Sequence, residues 1–497
     1  GHSDSNSDTG WTWANVPSGP SFSNVAVTSV TVSWSAGAGG AGSYLLSRST
    51  NSAFAVAVTT PAGASSGTLT AVSFTDTGLV ANTTHYYRVF AYNGGGVVNP
   101  TPGTVASTVT VPAAATPTAQ VATSSTSITW SWAAPATGAD TQVIRASSGG
   151  AVSVSTTSAY TEIGLSPNTL YTRLVRTANA SGSSDSVNMS TYTLASPPSV
   201  PSFSAVAIGA VTVSWTPGAG GAGAYGVVRS TSSNPADLAV VINYTTLTST
   251  VMAGLTPGTT YYYAIYSFNA ANVTDLSFPP ASPQSLGPTA AVQTLPLAAT
   301  PAAPSGVTTS TVTWNWANPS TGAAPFGVSV QASSVGAVSV ALSSTTATYT
   351  EGGLSPNTAY TRLVREANGW GFTDSVTMST TTLANVPAAM TFPAASSTTV
   401  TLAWAPPTDG PGSYLVERAT DAGGAWATVV GPTAGAYTTT GYVNADLAAD
   451  TRYWYRVLAY NAGGTLNLTP SATAQVTTRP IAPVGFAGVA QSTGGIT

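Results

Sequence analysis

Cysteine and lysine are both missing from these 497 residues, and histidine occurs twice. Without cysteine, disulfide staples and thiolate metal sites are excluded, so any stability must come from packing. Charge is almost as scarce. Only 6% of residues are charged, all 12 cations are arginine, and the formal net charge is −4. No basic surface exists to neutralise phosphates, which excludes nucleic-acid binding as a main function. No apolar run reaches the ~18 residues that cross a bilayer. The first residues also lack the basic and apolar regions of a secretory leader. What is present is 43% hydrophobic and 9% aromatic, enough to fill cores, over a length that suggests three to five domains.

Repeats supply the organisation. Five strands alternate apolar and small polar residues and end in Trp34, Trp132, Trp215, Trp316 and Trp404, spaced by about 90 to 100 residues. In the second and fourth, the residue two earlier is also tryptophan, Trp130 and Trp314. Downstream of each lies a turn and a long alternating strand rich in Tyr and Val: "LVANTTHYYRVFAYN" from residue 79, "LSPNTLYTRLVRTAN" from 165, "LTPGTTYYYAIYSFN" from 255, "LSPNTAYTRLVREAN" from 354 and "LAADTRYWYRVLAYN" from 447. Strands separated by Gly, Pro and Ser clusters, without helical periodicity, predict β-sandwiches.

These motifs resemble fibronectin type III domains, whose pattern has a Trp on the second strand and Leu-x-Pro-Gly-Thr-x-Tyr leading into the sixth. The resemblance covers nearly the whole chain. It implies an all-β fold of five tandem immunoglobulin-like (fibronectin type III) β-sandwiches in an extended rod, with strand-like tails at both ends. The expected divisions are a tail at 1–16, domains at 17–111, 112–194, 195–294, 295–383 and 384–478, and a tail at 479–497. Trp34, Trp132, Trp215, Trp316 and Trp404 are then core residues. Tyr171, Tyr261, Tyr360 and Tyr453 form the tyrosine corner, with His85 in that place in the first repeat. The repeats alternate in type, three with one Trp and two with the Trp pair, and their short Pro-containing linkers favour a semi-rigid array of ~150–200 Å.

Chemistry is hard to find. No metal-ligand cluster or nucleophile motif stands out, so no catalytic residue, metal or cofactor is expected, and the chain is read as non-enzymatic. The recurring acids, Glu162 with Glu351 and Asp185 with Asp374, lie beside arginine-bearing strands. Asp185 faces Arg176 and Asp374 faces Arg365 as cross-strand ion pairs. Trp370 and Phe372 fall in "NGWGFTD", expected as an exposed contact loop that stacks on sugar or packs on a neighbour. Six glycosylation sequons occur, at Asn82, Asn179, Asn188, Asn243, Asn272 and Asn467.

Residues 4–17 align with the closing segment of the double-Trp type at 374–387, and residues 480–497 align with its opening segment at 296–313. This pattern predicts a subunit interface of Trp11, Trp13, Val484 and Phe486 that joins copies head to tail. The expected function is a structural subunit of an extracellular filament, sheath or appendage. The chain itself is the main partner, with cell-surface glycans as possible partners, and with neither nucleic acid nor a membrane span. An adhesin or carbohydrate-binding stalk, or the spacer modules of a secreted polysaccharide-degrading enzyme, are the alternatives. All of them place the chain outside the cell or on its surface.

Overall fold

In the strand Ser29–Ser33, Val30 and Val32 are buried while their neighbours are only partly covered, the period-two pattern of a strand with one face on a core. The computed structural model describes residues 10–60, 69–147, 150–155, 158–234, 237–271, 285–319, 327–332, 339–431 and 437–485. Among these residues every regular element but a single-residue turn is a strand.

The first sandwich packs a three-stranded sheet on a four-stranded one. In the smaller sheet Ser29–Ser33 lies between Ser21–Ser23 and Ser73–Thr77. The larger runs Val58–Thr60, Ser43–Ser49, Thr84–Tyr92, Ala106–Val109, all antiparallel. The same two sheets recur four more times. The central strands of the small sheets are Ser127–Ala133, Val211–Ser214, Val312–Ala317 and Val400–Ala403. In the second, third and fourth sandwiches the closing strand is broken in two, as in Gly371–Asp374 and Met378–Thr381. This is the two-layer immunoglobulin-like architecture expected from the alternating strands.

Each core centres on its tryptophan. Trp34, Trp132, Trp215, Trp316 and Trp404 are all buried, and Trp130 and Trp314 are fully so. In the single-Trp sandwiches the indole meets a tyrosine edge-on, Tyr44, Tyr225 or Tyr414, with centroids 5.3–5.6 Å apart. Four corner tyrosines accept a backbone N–H at 2.8–2.9 Å, from Ser166 to Tyr171, Thr256 to Tyr261, Ser355 to Tyr360 and Ala448 to Tyr453. In the first sandwich His85 fills the place. It is buried, its Nε2 sits 3.5 Å from the Val80 carbonyl, and burial lowers its pKa.

The tails differ from expectation. Among the described tail residues, 10–16 and 479–485 form no strand, although Arg479 exchanges backbone hydrogen bonds with Ser396 and Asp450. Residues 12 and 14 instead rest on the first sandwich, where Asn93 and Asn99 hold their carbonyls and Ala14 is buried. Val484 is 97% exposed, and Phe486 lies outside the described residues.

Candidate functional site

The sandwiches meet through one repeated device. Every sixth strand ends in, or is directly followed by, an asparagine: Asn93, Asn179, Asn269, Asn368 and Asn461. Its Oδ1 accepts a backbone N–H from the hairpin that follows, such as Gly95 for Asn93, Ser181 for Asn179 and Trp370 for Asn368. This is the self-closing turn asparagine favours. The Nδ2 of the same side chain then reaches backwards along the chain. It donates to the carbonyl of Thr12, Thr110, Thr193, Thr294 and Thr382, respectively, at 2.7–3.1 Å.

The acceptor is itself fixed. Thr110, Thr193, Thr294 and Thr382 are fully buried at the end of their own sandwich. Each hydroxyl donates to a carbonyl of the turn before the sixth strand, namely Val80, Ser166, Thr256 and Ser355, at 2.6–2.7 Å. Each hydroxyl also accepts the N–H of the threonine inside that turn, Thr83, Thr169, Thr259 or Thr358. The signature turn of one domain therefore positions the carbonyl that the next domain grips. Thr478 makes the same two bonds, to Ala448 and from Thr451.

A second contact uses the turn's left-handed residue. Asn82, Asn168 and Asn357 have φ of 45–49°, a region that asparagine tolerates. They donate to the next sandwich at Thr137, Gly220 and Gly410. At the third joint the position is Gly258, which has no side chain to offer. There the hairpin of the fourth sandwich carries Trp370, whose ring meets Phe203 of the third edge-on at 5.8 Å and 84°. The corresponding residue in the second sandwich is Ser181.

Trp370 is thus a domain contact at a tight turn, though still 43% exposed. Phe372 belongs to the strand Gly371–Asp374 rather than to a loop, and it lies under the Arg365 guanidinium 3.5 Å away. Four-residue pairing in that hairpin sets Arg365 opposite Asp374, which leaves Phe372 two residues away on the same face.

The acids are occupied by structure. Arg176 grips Asp185 with two bonds of 2.6 Å, which hold its pKa below the usual range, and Arg365 grips Asp374 with bonds of 2.7 and 2.8 Å. Glu162 and Glu351 are interior. Glu351 accepts Nε and Nη2 of Arg362, at 2.9 and 2.6 Å, and Nε1 of Trp314 at 2.7 Å. Glu162, Arg173 and Trp130 repeat the arrangement. The extra tryptophan of the double-Trp type therefore completes a buried ion pair whose loss would strand a charge. In the first sandwich the place holds Asp76, bonded by Arg48 and Tyr87. Among the described residues no three His, Asp or Glu side chains gather as metal ligands.

Sequence reasoning missed the joint asparagines and threonines, although the asparagine closed all five quoted signatures. Three sequon asparagines, Asn82, Asn179 and Asn467, donate their Nδ2 at the joints, and of the three Asn467 is buried. No helix among the described residues is long and apolar enough to cross a membrane.

Comparison with known proteins places this geometry. The fibronectin type III domain profile matches residues 385–477. Endoglucanase B of Cellulomonas fimi is 31% identical over 239 residues, 45% of this chain and 22% of the relative. Exoglucanase B of the same species is 32% identical over 241 residues, 44% of this chain and 21% of the relative. The chain thus spans about a fifth of the length of these curated relatives. Among solved structures, the chicken CNTN1 FN1-FN3 domains share 19% identity, with a TM-score of 0.24, over 57% of this chain and 99% of theirs. A two-domain fibronectin type III segment of chicken tenascin shares 16%, with a TM-score of 0.25, over 37% and 99%. The fibronectin type III match covers the fifth unit, and the other four repeat its pair of antiparallel sheets, so the chain has the fold of five tandem immunoglobulin-like β-sandwiches.

Proposed function

We propose that the chain is a non-catalytic spacer within a secreted polysaccharide-degrading protein, holding the parts on either side at a set distance and orientation. The observation that carries the reading is the asparagine-to-threonine bond found at every junction. Five flexibly strung domains would need no such bond. A run of neutral, part-buried or buried hydrogen bonds ties each domain to the one before it, and the tethered domains act as a stiffened rod. The two glucanases support the setting, since the stretch they share with this chain is a minor part of their length. A filament subunit is the second reading, favoured by the exposed Trp11 and Trp13. It stands behind the spacer because residues 12 and 14 are already gripped within their own chain.

The test is the pair Asn269→Asp and Asn461→Asp. Aspartate keeps the oxygen that closes the hairpin but loses the donor, and it sets a carboxylate against the threonine carbonyl. Small-angle X-ray scattering should show a shorter maximum dimension and a more flexible profile, while each domain still melts as before. A rod of unchanged length and stiffness in the double variant would overturn the spacer reading.

A further inference from the structure

The first sandwich carries a cleft that the joints do not explain. Trp11, Trp13 and Asn15 form one wall and the glycine-rich turn at 38–42 the other, enclosing about 430 Å³. That volume lies within the ~300–1,000 Å³ of small-ligand sites. Both indoles are open to solvent, 64% for Trp11 and 59% for Trp13. They are nevertheless held. Asn93 grips the Thr12 carbonyl between them, and the Asn15 amide bonds the Ala38 carbonyl across the cleft.

One face of Trp11 lies on the backbone of Gly94 and Gly95, where a Cβ on either glycine would overlap the ring. The third and fifth sandwiches have Ala270 and Ala462 where the first has Gly94. Opposite them, at the place of Trp11, stand Tyr192 and Thr381. Among the described residues, only the first sandwich pairs a bare hairpin with an indole. The result is a flat ring backed by protein on one side and free on the other, with a second indole two residues along.

No charged side chain lines the cleft. Anionic and cationic ligands therefore find no partner there, whereas the C–H faces of neutral pyranose rings match indole faces. Their hydroxyls find amide and backbone groups at the rim. We propose that this cleft binds a neutral β-linked glucan, with one sugar on Trp11 and a neighbouring sugar on Trp13. The choice of glucan rests on the proposed place of the chain in a polysaccharide-degrading protein; the choice of a neutral pyranose rests on the cleft alone.

The experiment uses the full chain in native gels containing hydroxyethylcellulose or, separately, the α-glucan pullulan, with a cellohexaose titration followed by tryptophan fluorescence. Retardation by the β-glucan is expected. Trp11→Ala and Trp13→Ala should each weaken it at least tenfold without changing the melting curve, while Trp370→Ala should leave it intact. No retardation, a preference for pullulan, or full retention in both cleft variants would each overturn the site. So would sedimentation showing that the two tryptophans mediate self-association, which makes a second copy the occupant. Scattering on the same samples separates the two ideas, since an intact rod that ignores glucan sinks the cleft and spares the spacer.

Discussion

Glu366 is fully buried, and neither carboxylate oxygen has a hydrogen-bond partner. It sits in the sixth strand of the fourth domain, opposite Val328 on one side and Thr373 on the other. Neither can neutralise it. Arg365, next to it, faces Asp374 on the opposite side of the sheet, and Arg362 on the same face is committed to Glu351. Burial raises the carboxyl from 4.5 to about 7. The folded state therefore holds its proton more tightly than the unfolded chain, and stability falls as pH rises. Below about 4.5 both states are protonated and there is no penalty. The penalty grows as the unfolded chain ionises and reaches roughly 3 kcal/mol above pH 7. Thermal melts of the fourth domain should fall between pH 4.5 and 7, and Glu366→Gln should flatten that dependence and raise the melt at pH 8. An unchanged slope in the variant would refute this account. The second domain has Thr177 here, which donates to the Ala113 carbonyl, so the penalty belongs to one repeat and not to the type.

At the scale of elements, the hairpin after each sixth strand is where domains differ in how they hold their neighbour. Its length and turn are conserved between the second and fourth domains, yet Ser181 gives way to Trp370. The substitution coincides with Gly258 in the preceding turn, the one joint whose left-handed residue lacks an amide. An edge-on aromatic pair, worth ~0.5–1.5 kcal/mol, stands in for a hydrogen bond. Trp370→Ser should leave the fourth domain's melt within about 1 °C but broaden the distance distribution between fluorophores placed in the third and fourth domains. A distribution as narrow as the parent's would show that the ring does not stiffen this joint. Much at this scale was legible. Strict alternation gave the strands, and repeat comparison placed Arg176 opposite Asp185. The joints were not, because periodicity reports which face of a strand is buried and says nothing about which ends meet. Glu351 was visible as a recurring acid, but its partners Arg362 and Trp314 come from two other strands and are joined to it only by the register of the sheets. Phe372 read as loop because Gly369 and Gly371 precede it, whereas Gly371 opens a strand at φ 152°.

For the whole molecule, the scarcity of charge has a mechanical meaning. The joints are built from amides, hydroxyls and carbonyls, and none of the six described ion pairs crosses from one domain to the next. Salt screens charges and leaves buried neutral hydrogen bonds alone. Raising ionic strength from about 0.05 to 1 M, over which the screening length falls from roughly 14 to 3 Å, should leave the maximum dimension in scattering unchanged. A rod that shortens or softens with salt would point to charge as the aligning force.

The joint asparagine does two jobs with one amide group, closing its own hairpin with the oxygen and holding the preceding domain with the nitrogen. Alignment therefore depends on folding. A domain presents the donor only when its last hairpin has formed, and it finds the carbonyl only when the preceding domain's signature turn is in place. Along a chain emerging from the N-terminal end, each unit becomes the template against which its successor is set straight. A unit that unfolds loses both its own donor and the carbonyl its successor grips, so the alignment is released on both of its sides.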